Sequence, residues 1–359
     1  MKRVLIVTSE FERAHFFPGG FDEWMASYAG ECRFHDSADA ADFGQVLAEY
    51  APEIVVGAWG MPASPLSAVK GQGGSVEYFS FVPGSAKKQI TAEHLRAGLV
   101  FSNWGTSIGP YVAECALLLT LSALRRVTRW GYPLKAEGVW RDRLTQNRSL
   151  FRKRVGLHGF GAIAQSLVEL MRPFGAVVTA DTGVPDSLLE KYDVKRAAST
   201  EALFAESEVL IELKPLTDKT RGSVGGSVGG RLLRLLQPGA CFINIGRGPV
   251  VNETDLVEVA REGEIEIGLD VYEQEPLPLE SPLRSLPNVF MLPHMGGATI
   301  ERGIECGELS LRNVVRFVAG ESIENQVTVE AFERGTRDGF RNANNDARDV
   351  GHKARPTGA

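Results

Sequence analysis

Three polar side chains stand where apolar runs give way to glycine or proline. Arg247 lies in Asn244-Ile245-Gly246-Arg247-Gly248, with a glycine on either side. A guanidinium so placed can grip a carboxylate through two parallel hydrogen bonds and polarise a neighbouring carbonyl. His294 follows Val289-Phe290-Met291-Leu292-Pro293 and precedes Met295-Gly296-Gly297. An imidazole at a strand end is suited to proton transfer near neutral pH. Glu275 sits in the preceding loop, Asp270-Val271-Tyr272-Glu273-Gln274-Glu275-Pro276. A carboxylate bonded to the imidazole would orient it and favour its protonated form. Glu273 competes for that part, and spacing alone does not separate the two.

A second cluster points to a nucleotide. Gly156-Leu157-His158-Gly159-Phe160-Gly161-Ala162-Ile163-Ala164 contains G-x-G-x-x-A between an apolar run and a helical pattern. Backbone N–H groups at such a helix start can cradle a pyrophosphate. Asp181 lies 20 residues past Gly161 and closes the next apolar run, where an acid accepts from the ribose hydroxyls of NAD. A 2′-phosphate would be repelled there, and Thr182-Gly183 supply no Arg to relieve it, so the reading is NAD rather than NADP. His158 is read as structural, pointing into the sheet or an adjacent helix.

These residues need elements to hold them. The first hundred residues alternate short apolar runs at 4–7, 54–56, 76–82 and 99–101 with helical stretches at 38–50 and 91–97, a small parallel α/β unit. A long apolar helix around 112–127 follows, opened by Pro110 and closed near Trp130-Gly131. From Arg154 onward, six runs at 155–158, 176–180, 208–213, 240–245, 264–269 and 288–292 alternate with helices, which predicts a doubly wound parallel sheet. Residues 299–320 read as one amphipathic helix returning to the first unit. The stretch 336–359 is nearly devoid of large apolar residues and reads as a solvated, disordered tail. A short duplication at 222–229 reads as a lengthened loop.

Composition narrows the class. The 359 residues are 43% hydrophobic and 23% charged, ordinary for a globular chain of about two domains. A net charge of −6 gives no general attraction to nucleic acid or an anionic membrane. The apolar run at 4–7 is shorter than the ~7–15 residues of a signal peptide core. The uncharged stretch 115–124 falls well short of the ~20 residues of a membrane span. Cys32, Cys115, Cys241 and Cys306 are scattered, with no metal-ligand spacing, so we expect reduced thiols, no metal and a cytoplasmic location.

With these motifs in view, the chain resembles the D-isomer-specific 2-hydroxyacid dehydrogenases over about residues 50–330. The resemblance rests on Val112-Ala113-Glu114, the glycine loop, Pro215-Leu216-Thr217, Gln237-Pro238-Gly239, Asn244-x-x-Arg247-Gly248, Leu269-Asp270-Val271, Glu275-Pro276, Pro287-Asn288-Val289 and Pro293-His294-x-Gly296-Gly297-Ala298-Thr299. It implies an α/β architecture of two Rossmann-like domains with a cleft between them. The smaller would be flavodoxin-like, residues 1–103 completed by 298–335, and the larger would bind NAD, residues 104–297. It implies a catalytic set falling on Arg247, Glu275 and His294. It places Gly159, Gly161, Ala162, Ile163, Asp181, Lys214, Pro215, Thr220, Ile245, Gly246, Asp270, Gly296 and Gly297 at the cofactor, and Val82, Gly84 and Ser85 with Arg247 at the substrate. A homodimer acting on a small 2-oxo or 2-hydroxy acid is implied, with the particular acid left open. An NAD(H)-responsive, corepressor-like binding protein that keeps the fold is the alternative. The chain departs from the family pattern at Pro83, which removes an amide donor from the substrate loop, at Ala164, and at Leu213, flanked by the charged Glu212 and Lys214.

Overall fold

A computed structural model describes residues 2–39, 42–140, 146–217, 219–221, 228–297 and 299–335. The expected tail at 336–359 and most of the duplication at 222–229 lie outside the described residues.

Apolar runs without polar alternation predict strands buried on both faces, as parallel sheets require. The first sheet holds β1 (Val4–Thr8), β2 (Cys32–Asp36), β3 (Ile54–Gly57), β4 (Tyr78–Phe81) and β5 (Val100–Ser102). All are parallel in the order β2-β1-β3-β4-β5, the flavodoxin-like arrangement. The second sheet holds β6 (Arg154–His158), β7 (Val177–Asp181), β8 (Lys195–Arg196), β9 (Val209–Glu212), β10 (Cys241–Asn244), β11 (Glu266–Leu269) and β12 (Val289–Met291). Its order, β12-β11-β10-β9-β6-β7-β8, is a doubly wound sheet with one further strand at its edge. Alternate residues feed opposite faces: Leu5 and Val7 join one core, Val4 and Ile6 the other.

Several elements differ from expectation. Strands β2 and β8 were not expected; both are edge strands, and β8 is two exposed residues, too short for any apolar pattern. The apolar helix runs Gly109–Leu124, and the chain turns at Arg126, φ 54°, into a second helix, Val127–Glu137. That helix passes the expected stop at Trp130-Gly131, because the left-handed residue that ends it is Gly138, φ 70°. The region before Glu206 is two short helices, Asp186–Lys191 and Thr200–Glu206, separated by β8.

The helix Ile300–Ala319 is capped by the Thr299 hydroxyl, which accepts from the Arg302 amide, and ended by Gly320 at φ 73°. It returns to the first sheet, where Cys306 and Val314 enter the core beside Val4 and Ile6, and the Ser80 and Ser310 hydroxyls share a 2.7 Å bond. Its approach is close, since a Cβ on Gly307 would lie 1.9 Å from the carbonyl oxygen of Phe16.

Parallel register gathers charge at the carboxyl edge of the second sheet. His158, last in β6, is level with Asp181 on β7 and Glu212 on β9. Its Nδ1 bonds to the fully buried Glu212 carboxylate, and its Nε2 lies 3.4 Å from Asp181 Oδ2. The expectation of a structural histidine in the sheet therefore agrees with its contacts. Burial alone would lower the His158 pKa, but the Glu212 charge and the bonds to Asp181 and Glu212 outweigh it and raise the pKa to about 9.

This packing has two measurable consequences. A pKa raised from 6.5 to about 9 stabilises the fold by about 3 kcal/mol. The contribution is whole below pH 6.5 and is lost as pH rises through about 9. Melting temperature should fall across that window, and the fall should vanish in a His158→Leu/Glu212→Leu double variant; equal slopes in both proteins would refute the assignment. Gly307→Ala should cost about 1–3 kcal/mol in urea unfolding through overpacking against Phe16.

Candidate active site

The loops after β10, β11 and β12 converge. After β10, Asn244 Oδ1 accepts from the Gly246 amide at 3.2 Å, and Arg247 Nη1 donates to Gly246 O at 2.7 Å. Gly248 must be glycine: a Cβ there would lie 1.8 Å from Tyr272 O, so this loop presses directly on the one after β11. After β11, Tyr272 links its neighbours twice. Its amide donates to Glu275 Oε1 at 3.0 Å, and its hydroxyl donates to Leu292 O at 2.7 Å, just before Pro293-His294.

His294 Nδ1 meets Glu275 Oε2 at 2.6 Å. With Nδ1 carrying the proton of that bond, Nε2 is the nitrogen left for exchange with a ligand. The backbone of His294 is left-handed, φ 53°, a conformation a non-glycine residue holds only when its surroundings impose it. Asp270, at the end of β11 and 2% exposed, imposes it by accepting from the amides of Met295 and Gly296 at 2.8 and 2.9 Å. Burial pushes the Asp270 carboxyl up despite those bonds. Burial also acts to raise Glu275, but the bond to His294, its charge, the Tyr272 amide and the Arg247 charge together hold it below its ordinary value. The competitor Glu273 is exposed, and its amide donates to Glu253 Oε2 instead. The geometry therefore pairs Glu275, not Glu273, with the imidazole.

The crevice between β6 and β9, where the strand order reverses, gathers the glycine loop and its partners. Gly159 is left-handed at φ 111°, and a Cβ there would crowd Leu213 C and Lys214 N at 3.0 Å. Gly161 opens the helix Ala162–Met171, whose first turn carries Ala162 and Ile163, and a Cβ on Gly161 would meet nothing within 4 Å. Asp181 Oδ2 accepts from Thr200 Oγ1 at 2.6 Å and Lys214 Nζ at 3.0 Å. The His158 bond, outweighing burial, and then Thr200 and Lys214 hold this carboxyl well below the usual range. Thr220 braces the next turn, donating to Pro215 O at 2.6 Å and accepting from the Thr217 amide. A Cβ on Gly246 would lie 3.2 Å from Glu212 O, on Gly296 3.2 Å from Ile245 Cδ1, and on Gly297 3.0 Å from Ile108 Cδ1. Gly159 and Gly246 held against backbone, an open helix start and an ionised acid closing β7 fit a dinucleotide.

The substrate loop needs a correction. Val82 is 2% exposed and its amide donates to Gly57 O at 2.9 Å, so sheet pairing takes the donor that the sequence reading assigned to a substrate. Gly84 lies beneath the Trp104 ring, with its carbonyl accepting from Asn103 Nδ2. Ser85 lies beside it, partly exposed. Sequence reasoning missed Tyr272 and Asn244 as positioning residues. A buried tyrosine hydroxyl must find a partner, but that signal does not say which.

Among the described residues no cluster of His, Cys, Asp and Glu is placed to hold a metal, and no helix is long and apolar enough to cross a membrane.

Comparison with known proteins bears on the fold and the family. A family model described as "D-isomer specific 2-hydroxyacid dehydrogenase, NAD binding domain" matches residues 117–296. A glyoxylate/hydroxypyruvate reductase B of Yersinia enterocolitica is 32% identical over 242 residues, covering 66% of this chain and 73% of its own. The protein of the same description from Pectobacterium carotovorum is 32% identical, covering 66% and 74%. Among solved structures, a glyoxylate reductase from Paecilomyes thermophila superposes with a TM-score of 0.76 at 22% identity, over 91% of this chain and 98% of its own. The TT0316 protein from Thermus thermophilus gives 0.74 at 23%, over 91% and 100%. With half its length matched by the family model and a relative at this identity, the chain belongs to the D-isomer specific 2-hydroxyacid dehydrogenase family and is an NAD-dependent oxidoreductase of that family.

Proposed function

We propose that the chain reduces a small 2-oxo acid to the D-2-hydroxy acid, with Arg247, His294 and Glu275 carrying the chemistry. The observation that carries this reading is the 2.6 Å bond between His294 and Glu275, on loops packed against that of Arg247. NADH, when bound across Gly159–Gly161 and Asp181, supplies the hydride for the keto carbon. Arg247 grips the substrate carboxylate and stabilises negative charge growing on the carbonyl oxygen, while Gly84 and Ser85 border the acid from the first sheet. His294 gives that oxygen a proton from Nε2, while Glu275 holds the ring through its bond at Nδ1. Asp270 and Tyr272 position the imidazole without touching the substrate.

The domain division belongs to the same proposal. Residues 1–103 with 298–335 form the substrate side and 104–297 the cofactor side, supported by the two separate sheets and the return of Ile300–Ala319 to the first. A homodimer through the cofactor side is supported by Tyr132 and Trp140, 70% and 73% exposed. Glyoxylate and hydroxypyruvate, named in the relatives, head the substrates to try.

The test is loss of NADH absorbance over glyoxylate, hydroxypyruvate, its phosphate ester and phenylpyruvate. Turnover of one class supports the proposal; tight NADH binding with no turnover on the whole panel overturns it in favour of a binding role. His294→Ala should lower kcat by about 10²–10⁴-fold while NADH affinity persists. Arg247→Lys, which loses the planar fork, should raise KM and lower kcat together. Wild-type turnover by the His294 variant would remove that residue from the mechanism.

A further inference from the structure

The edge of the second sheet opposite the candidate site gathers positive charge that the proposed reaction does not use. Glu266 opens β11 at that edge and is 5% exposed. Arg126, in the turn between the helices Gly109–Leu124 and Val127–Glu137, meets it with Nε at 2.9 Å. Arg129, in the first turn of the second helix, and Arg148, shortly before β6, stand near enough for their charges to act on the same carboxylate. Arg148 is held there from two sides. Its amide donates to Leu124 O at 2.9 Å, and its guanidinium lies on Gly239, where a Cβ would be 1.9 Å from Nη2. Three guanidinium groups therefore share one carboxylate. Lys153, a further cation at this edge, is already paired with Glu208 at 2.7 Å.

Two further features leave the cluster short of an anion. The helix Val127–Glu137 starts with no side-chain cap and no acidic residue in its first turn, and Arg126 stands at the position where Ser, Thr, Asp or Asn is usual. The positive end of the helix dipole thus adds to the guanidinium charge. Arg129 Nε and Trp130 Nε1 are shut off from solvent and have no hydrogen-bond partner among the described residues. Buried donors of this kind are unfavourable, and a ligand oxygen would satisfy them.

We propose that Arg129 and Arg148, with the start of the helix Val127–Glu137, form a binding site for a phosphate-type dianion, separate from the dinucleotide crevice. Two guanidinium groups beyond the Arg126–Glu266 pair match two negative charges, and their planar forks suit the oxygens of a tetrahedral anion. Glu266 anchors Arg126 and sets how much charge is left over. The site lies at the amino end of β11 and Asp270 just past its carboxyl end, so the inference stands apart from the proposed reaction.

The probe is inorganic phosphate, titrated by calorimetry into the full chain at constant ionic strength, with NADH present throughout to occupy the glycine loop. The wild type should bind phosphate saturably, with sulfate competing and acetate not, and phosphate should raise its melting temperature. Arg129→Gln and Arg148→Gln should each weaken binding at least tenfold. Glu266→Gln, which leaves three cations without their carboxylate, should tighten it at least threefold, whereas a purely structural cluster would show no tightening. The arginine variants keep the Arg126–Glu266 pair, and a cooperative melt in each confirms that it folds. The proposal is overturned if phosphate binding does not saturate, if acetate displaces phosphate as well as sulfate does, or if the Arg129→Gln/Arg148→Gln double variant binds phosphate as the wild type does.

Discussion

The site depends on one buried carboxylate accepting two backbone amides. Asp270 directly follows β11, and its bonds to Met295 and Gly296 tie the loop after β12 across the edge of the sheet. That tie is what places His294 in a left-handed conformation with its ring toward Glu275. Tyr272 adds a second tie, holding Glu275 through its amide and the approach to His294 through its hydroxyl. Proton transfer needs the imidazole held to within a fraction of an ångström, and neither partner could be so held from a loop unattached to its neighbour.

A wider constraint lies behind this one. In a parallel sheet every strand delivers its last residue to the same edge, so a polar residue placed last in any strand arrives beside the last residue of the next. His158, Asp181, Glu212, Asn244 and Asp270 all reach that edge, although more than a hundred residues separate the first from the last. The burial of His158, Glu212 and Asp270 is tolerable because each is paired; an unpaired charge there would cost several kcal/mol. The edge also divides by chemistry, with paired acids and bases at β6, β7 and β9 and the bonded His294 and Glu275 in the loops after β12 and β11.

Much of this was legible beforehand because it is local. The apolar runs of β1, β3 and β9 announce buried parallel strands, and Thr299 and Gly320 mark the ends of one long helix. Arg247, His294 and the glycine loop stand out because residue type and immediate neighbours carry the signal. Strands β2 and β8 escaped because edge strands need little apolar content. The helix end at Trp130-Gly131 was misplaced because Gly131 is tolerated inside a helix where its Cβ position is open. Val82 was misassigned because nothing local says whether an amide faces a ligand or a neighbouring strand.

By itself, the sequence determined the two-sheet α/β architecture, the position of the glycine loop and the residue types of the candidate catalytic set. These follow from periodicity and short-range turn chemistry, which act within a few residues. Only the tertiary structure decided between Glu275 and Glu273, brought Lys214 to Asp181, and revealed Tyr272 and Asp270 as the braces of His294. Each of those is a contact between the ends of different strands or the loops that follow them. Sheet order and register fix such contacts, and no short stretch of chain encodes them.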